Sequence, residues 1–183
     1  NDASAHNWLV MLNLWHKWDF YTAKREYNYA AQLEPSNPFV LYNDLNVAMG
    51  KFEEAVKLGR LRVTTEPNNF DHKIDLGFAL YFNGQNEESI LYLDSALGKV
   101  DRDRPSFSDM GRTYLYLGKY DKVIELNEHA IDKKANHQIR NMATLAIACI
   151  HLGKMNRANQ LLLELKSKID ENINAMSASF YVA

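Results

Sequence analysis

Cysteine is almost absent from this chain, and so is any excess of charge of one sign. The single cysteine, Cys149, excludes an internal disulfide framework. Lysine and arginine number 21 against 23 aspartate and glutamate residues, and this balance gives no electrostatic case for direct nucleic-acid binding. No apolar run approaches the roughly 18 residues of a membrane span. No signal peptide is visible. We therefore expect a cytoplasmic protein that contacts neither nucleic acid nor membrane.

Signatures of catalysis and of metal binding are also missing from the sequence. There is no glycine-rich phosphate loop and no serine-centred nucleophile elbow. The 6 histidines include no helical pair four residues apart, and one cysteine cannot complete a metal-ligand set. Cys149 and His151 are two residues apart on a predicted helix, so they face different directions. We therefore expect a protein that is not an enzyme and that has no cofactor and no metal site.

What the chain does contain is an internal repeat. The stretch from Phe70 to Asp101 reads as a helix, a turn at Gly84 and a second helix, each helix with an apolar stripe. The equivalent turns in the rest of the chain are at Trp18, Gly50, Gly118 and Gly153. Successive turns are separated by 32, 34, 34 and 35 residues. Glycine at such a turn supplies the positive φ that ends a helix.

Small residues recur at fixed distances before and after each turn. They are Gly77, Gly111 and Ala146 on the first helices, and Ala23, Ala55 and Ala158 on the second helices. Small side chains let two helix backbones approach closely, and larger apolar residues fill the grooves beside them. The pattern therefore predicts pairs of closely packed helices. They are expected at about Ala5–Lys17 and Phe20–Leu33, Pro38–Met49 and Phe52–Thr65, and Ser106–Leu117 and Tyr120–Lys133.

On these residues the chain resembles a tetratricopeptide repeat (TPR) array, whose period is about 34 residues. The resemblance implies an all-α fold, a right-handed α-solenoid of about five helix–turn–helix units and the start of a further helix. The units are expected at about 4–37, 37–69, 70–101, 104–137 and 139–169, with 172–183 starting a sixth. We expect residues 1–183 to form a single array. Because the chain begins at Asn1 rather than Met, we interpret it as a fragment of a longer protein.

The second and fifth units depart from the TPR pattern. Asn43 and Asn46 stand at positions that are usually small or apolar, and Arg62 stands where alanine is usual. Leu165 replaces the corresponding alanine in the fifth unit. The spacing of the second unit is also two residues short, and we expect the second helix of the fifth unit to sit further out.

A narrower resemblance is to the TPR regions of bacterial signalling proteins, which commonly follow a nucleotide-cyclase, kinase or winged-helix domain. It depends on two short segments. These are Trp18-Asp19-Phe20 with Ala23, Arg25-Glu26-Tyr27, Ala30, Leu33 and Pro35, and the late Ser179-Phe180-Tyr181-Val182-Ala183.

The TPR resemblance implies a concave groove lined by the first helices of successive units. The residues that it places there most clearly are Trp8, Leu12, Trp15, Asp44, Phe78, Tyr81, Phe82, Arg112 and Tyr116. It also places Val40, Ile74, Ser108, Arg140, Ile147 and Ile150 there. Aromatic residues and arginine are common anchors of protein interfaces. An equally good interpretation is that these side chains pack on adjacent units or on a missing domain. For the first helix, which is apolar nearly all round, cover by a missing upstream helix is the favoured interpretation over an exposed binding surface.

The sequence therefore predicts a non-catalytic protein–protein interaction module that binds a peptide or partner segment in this groove. Some TPR domains clamp the acidic C-terminus of chaperones, but Asp71 and Asp75 stand at two of the clamp positions and would repel it. The alternative is a regulatory or dimerisation arm of a bacterial signalling protein, such as a cyclase or a DNA-binding regulator. That alternative allows a homodimer, which a concentration-independent monomer in size-exclusion chromatography would disfavour.

Overall fold

The computed structural model describes residues 2–34, 42–100, 104–131 and 138–181, and for residues 42, 43, 105, 129–131, 138 and 171–181 it describes the backbone alone. The regular elements of these ranges are all helical. They are α1 (Ala3–Leu12), α2 (Phe20–Leu33), α3 (Tyr42–Ala48), α4 (Phe52–Thr65), α5 (Phe70–Phe82), α6 (Asn86–Ala96), α7 (Pro105–Tyr116), α8 (Tyr120–Ile131), α9 (Gln138–His151) and α10 (Met155–Tyr181). A π-helical turn, Asn13–Lys17, continues α1. None of these helices is long and apolar enough to cross a membrane.

The predicted turns are confirmed by the backbone conformation. Trp18, Gly50, Gly84, Gly118 and Gly153 all have positive φ, between 55° and 77°. After Gly84, the Gln85 amide donates to the Leu80 carbonyl at 2.9 Å, and the corresponding bond recurs after Gly50, Gly118 and Gly153. This arrangement ends a helix while satisfying its last carbonyl groups. The helices therefore form hairpins, in which the odd-numbered helices are the first helices and the even-numbered ones the second helices.

The first turn differs from the others because Trp18, not glycine, adopts the left-handed conformation. The π-helical turn precedes it, and the backbone amides of both Trp18 and Asp19 donate to the Asn13 carbonyl. The Asn13 side chain donates to the Leu9 carbonyl at 2.7 Å. The sequence did not predict this wider turn.

By its packing, the chain divides into two compact units, Asn1–Tyr92 (unit 1) and Leu93–Ala183 (unit 2). In unit 1 each of α1 to α4 packs on the next helix, and α3 also packs on α5. In unit 2, α8 packs on both α7 and α9, α7 packs on α9, and α9 packs on α10. Contacts between neighbouring hairpins as well as within them are the packing of a repeat fold, in which each hairpin buries its faces against the next.

The small residues predicted at the helix contacts are buried. Ala23, Ala55 and Ala158 are at 0% exposure, and Ala146 is at 1%. Gly111 is also buried, and a Cβ built there would lie 3.1 Å from Asn127 Nδ2. The cores of unit 1 and unit 2 therefore form where the sequence pattern predicts close helix contacts.

Ion pairs join second helices of neighbouring hairpins. In unit 1, Arg60 of α4 makes two hydrogen bonds with Glu88 of α6, at 2.6 and 2.7 Å. In unit 2, Lys122 of α8 lies 2.6 Å from Asp94 of α6, and Arg157 of α10 makes two bonds with Glu128 of α8. The partners are 28 or 29 residues apart, so these contacts repeat with the fold.

The last helix is longer than the sequence predicted. Helix α10 runs without a break from Met155 to Tyr181, so a separate helix does not begin at about residue 172, and that expectation is wrong for the described backbone. The physical reason is that no glycine or proline lies between Met155 and Tyr181 to end the helix. The predicted boundaries of the other helix–turn–helix repeats stay predictions.

The turn geometry predicts the effect of adding a methyl group. A Cβ at Gly84 or Gly118 would meet no described atom within 4 Å, so only the positive φ opposes it. We expect Gly84→Ala and Gly118→Ala each to lower the free energy of unfolding by about 1 kcal/mol, measured by urea denaturation. Lys119→Ala, at the next residue, is the control and should change it by less than about 0.5 kcal/mol. Unchanged stability of both glycine variants would contradict the turn assignment.

Asn46, which departs from the TPR pattern, gives a second prediction. Its side chain is 1% exposed, and neither amide atom has a hydrogen-bond partner among the described residues. Leu14 and Leu80 occupy the equivalent buried positions. An unpaired buried amide costs about 1–3 kcal/mol, so Asn46→Leu should raise the free energy of unfolding by about 1–2 kcal/mol.

The control for this experiment is Asn13→Leu. Asn13 is also buried, but its side chain already donates to a carbonyl, so leucine there should not stabilise the protein. Thermal denaturation of both variants compares the two sites directly. Equal gains would show that apolarity alone, and not the missing partner at Asn46, determines stability.

Candidate functional site

Three large apolar side chains are exposed on α1 and on the π-helical turn that continues it. Trp8, Leu12 and Trp15, here called the α1 stripe, are 69%, 39% and 50% exposed. Trp8 and Leu12, four residues apart, lie on one side of α1, and Trp15 lies in the π-helical turn that follows. Val10 and Leu14 from the same stretch are at 0% and 4% exposure and belong to the core with Ala23 and Leu45. The α1 stripe is therefore apolar surface that packing within unit 1 leaves open.

The aromatic residues predicted on α5 pack on one another. The Phe82 ring stacks on Phe52 at 5.9 Å between centroids and lies edge-on to Phe78 at 4.9 Å and to Tyr81 at 5.1 Å. Phe82 is 37% exposed, while Phe78 and Tyr81 are partly buried. These four rings, here called the α5 aromatic cluster, therefore contribute both to internal packing and to the exposed surface. The groove prediction missed Phe52. It lies two residues after the turn at Gly50, just as Phe20 and Tyr120 lie two residues after their own turns.

Unit 2 offers a mixed polar and apolar surface on α7 and α9. Arg112 Nη2 donates to Asp109 Oδ1 at 2.6 Å, and Arg140 Nη1 lies 3.8 Å from the same oxygen. Tyr116, Ile147 and Ile150 are 47%, 43% and 45% exposed. Asp109, whose carboxylate links the two arginines, was missed by the sequence analysis, although its spacing of three residues from Arg112 is that of a helical ion pair.

Two residues predicted in the groove are not surface residues. Ile74 is at 0% exposure and Ser108 at 2%. Ser108 Oγ donates to Asn141 Oδ1 at 2.7 Å, so this position packs against the next first helix instead of facing a partner. Both predictions are wrong because these side chains are buried in the protein and not open to a partner. Asp44 is partly buried in the first turn of α3, and Val40 lies outside the described residues.

Arg62, which stands where alanine was expected, is 5% exposed. Its Nη1 lies 3.8 Å from Asp75 Oδ2 on the next first helix. A buried charge is tolerated where an opposite charge faces it. The sequence analysis used Asp75 as an argument against an acidic ligand. In the structure Asp75 also has a role in packing, as the counter-charge of Arg62.

Cys149 has the surroundings of a packing residue. It is at 0% exposure in a core with Met142, Leu145 and Leu161. Burial is the main cause that raises the pKa of its thiol, which disfavours the reactive thiolate. Among the described residues, no three histidine, cysteine, aspartate or glutamate side chains converge on a point that a metal could occupy.

Comparison with known proteins identifies the fold. A crystal structure of a variant of kinesin light chain nearly identical TPR-like repeats from Podosopora anserina superposes with a TM-score of 0.64 at 16% identity, covering 93% of this chain and 96% of that one. A crystal structure of MamA gives a TM-score of 0.62 at 22% identity, covering 86% and 93%. The fold is that of TPR-like repeat proteins. No protein-family model and no curated protein matches the chain.

This likeness confirms the predicted fold class, an all-α TPR-like solenoid. Because the identities are below 25%, the likeness extends to the fold alone. Several of the residues predicted in the groove remain exposed on first helices. These are the α1 stripe, the exposed part of the α5 aromatic cluster, and the surface of α7 and α9.

Exposure separates the side chains that are available to a partner from those that hold the fold. Trp8→Ala and Trp15→Ala should change the free energy of unfolding by less than about 0.5 kcal/mol, because both rings are mostly or half exposed. Phe78→Ala should lower it by about 1–2 kcal/mol, because it removes an edge contact to Phe82. Urea denaturation monitored by circular dichroism measures all three. A large loss from Trp8→Ala would show that the α1 stripe is structural.

Proposed function

We propose that this chain is a non-catalytic protein-interaction module that binds a segment of a partner protein on its first helices. The observation that carries the proposal is the α1 stripe. Trp8 and Trp15 present large apolar surface on a helix whose other side already supplies the core. Burying a tryptophan in a partner releases more surface from water than burying most other side chains, and tryptophan is enriched at binding hot spots.

Contacts that position the helices also support this proposal. Ion pairs join α4 to α6, α6 to α8 and α8 to α10, and backbone hydrogen bonds close the turns. Anchors held on such a framework lose little conformational entropy when a partner binds. The resemblance of residues 18–35 to TPR regions of bacterial signalling proteins suggests a place for the module in a regulatory protein.

Selection of peptides from a random display library tests the proposal. Peptides selected on the unaltered protein should bind the Trp8→Ala/Trp15→Ala double variant at least tenfold more weakly, measured by fluorescence polarisation of the labelled peptide, because the variant lacks both ring anchors. The matched control is Tyr21→Ala on the second helix α2, which removes a ring that is 83% exposed. We expect this control to bind normally.

Two results would contradict the proposal. One is that no peptide is selected. The other is that the selected peptides bind the double variant and the unaltered protein equally, which would place the contact away from the α1 stripe.

A further inference from the structure

The turn between α5 and α6 contains the dipeptide Asn83-Gly84, and glycine follows none of the other asparagines in the chain. The backbone nitrogen after an asparagine can attack the side-chain amide of that asparagine, and glycine has no side chain to hinder the approach. Asn83 is partly buried and Gly84 is exposed, so water reaches the turn. The turn therefore carries the groups needed for conversion of an asparagine into an aspartate without an enzyme.

The conversion needs no reagent other than water. The Gly84 nitrogen loses its proton to solvent and bonds to Asn83 Cγ, the Cγ–Nδ2 bond breaks, and Nδ2 takes up a proton and leaves as ammonia. The product is a cyclic imide, in which the Gly84 nitrogen is bonded to Cγ and to the backbone carbonyl carbon of residue 83. Water then adds to one of these two carbons, and the bond from that carbon to nitrogen breaks. Opening at Cγ gives aspartate, and opening at the backbone carbon gives isoaspartate.

The folded turn keeps the two reacting atoms apart. The backbone angle ψ of Asn83 is 5°, so the Gly84 nitrogen nearly eclipses the Asn83 nitrogen in a view along the Cα–C bond. Cβ is another substituent of the same tetrahedral Cα, so it lies about a third of a turn away from the Gly84 nitrogen around that bond. The ring can therefore close only after the backbone rotates about the Cα–C bond of Asn83.

Hydrogen bonds within the turn oppose this rotation. The Gly84 amide donates to the Tyr81 carbonyl at 3.0 Å, and the Gln85 amide donates to the Leu80 carbonyl at 2.9 Å. Asn83 Nδ2, the group that would leave, donates to Gln85 Oε1 at 2.9 Å. An amide that is held in a hydrogen bond also gives up its proton to solvent mainly when the structure opens locally. Closure of the turn thus blocks both the approach of the nitrogen and the loss of its proton.

We propose that Asn83 is a site of spontaneous conversion to aspartate and isoaspartate, which the closed α5–α6 turn blocks and local opening of the turn permits. The rate in the folded protein is then set by the fraction of molecules in which the turn is open. Isoaspartate adds one atom to the backbone between the Leu80 carbonyl and the Gln85 amide, which weakens the closure of the turn. The modification is therefore a lasting record that this hairpin has opened. It is independent of the proposed partner binding.

The conversion rate of the full chain in two solvents tests the proposal. Liquid chromatography with mass spectrometry of the proteolytic fragment that contains residue 83 separates asparagine, aspartate and isoaspartate. In guanidinium chloride at mildly alkaline pH, we expect Asn83 to be converted faster than every other asparagine, because only Asn83 precedes a glycine. In buffer at the same pH and temperature, its conversion should be at least about tenfold slower, because the turn is then mostly closed.

A variant that opens the turn tests the role of closure more directly. Gln85→Pro leaves the reacting pair unchanged but removes the amide hydrogen that bonds to the Leu80 carbonyl. It should accelerate conversion of Asn83 in buffer by at least about fivefold. Lys119→Pro is the matched control, because it removes the equivalent bond at the turn of Gly118 and should leave the rate at Asn83 unchanged.

Three results would each overturn the inference. They are equal rates for Asn83 in buffer and in guanidinium chloride, conversion of Asn83 in guanidinium chloride no faster than that of the other asparagines, and equal acceleration by Gln85→Pro and Lys119→Pro. The first two comparisons use the unaltered protein, so they decide the matter even when a proline variant does not fold.

Discussion

The structure depends on a left-handed residue after each described first helix. Gly50, Gly84, Gly118 and Gly153 have positive φ, and a residue with a side chain, Trp18, adopts the same conformation at the first turn. Only this backbone conformation lets the amide after the turn bond back to the preceding helix and reverse the chain within two or three residues. The spacing of the turns then fixes the length of each helix pair, and with it which side chains meet.

The second constraint is close approach between helices. A Cβ at Gly59 would lie 2.9 Å from Leu76 Cδ1, and the alanines at the hairpin contacts are buried. Charged residues of the second helices hold neighbouring hairpins together, as in the Arg60–Glu88 and Arg157–Glu128 pairs. Exposed aromatic and aliphatic side chains occur on both kinds of helix, such as Trp8 and Tyr116 on first helices and Tyr21 and Leu91 on second helices.

Much of the fold could be predicted from the sequence because its determinants repeat. The turn positions, the small residues and the bounds of α2 and α4 all follow from local patterns. The surface was harder to predict, because exposure depends on what the next helix supplies. Ser108 is buried by Asn141, and Phe82 is partly covered by Phe52, a residue 30 positions earlier. Asp109 was missed because only the fold brings Arg140 beside it. The single helix α10 was missed because the repeat pattern predicted a new helix at about residue 172, although no glycine or proline there ends the preceding one.

The central claim is that a partner contacts first helices and leaves second helices free. Amide NMR chemical-shift mapping with a library-selected peptide tests this most directly, with the indole N–H signals of the three tryptophans as additional reporters. The account predicts shifts confined to odd-numbered helices, including the indole signals of Trp8 and Trp15. Shifts concentrated on α2, α4, α6 or α8, with those two indole signals unmoved, would contradict it.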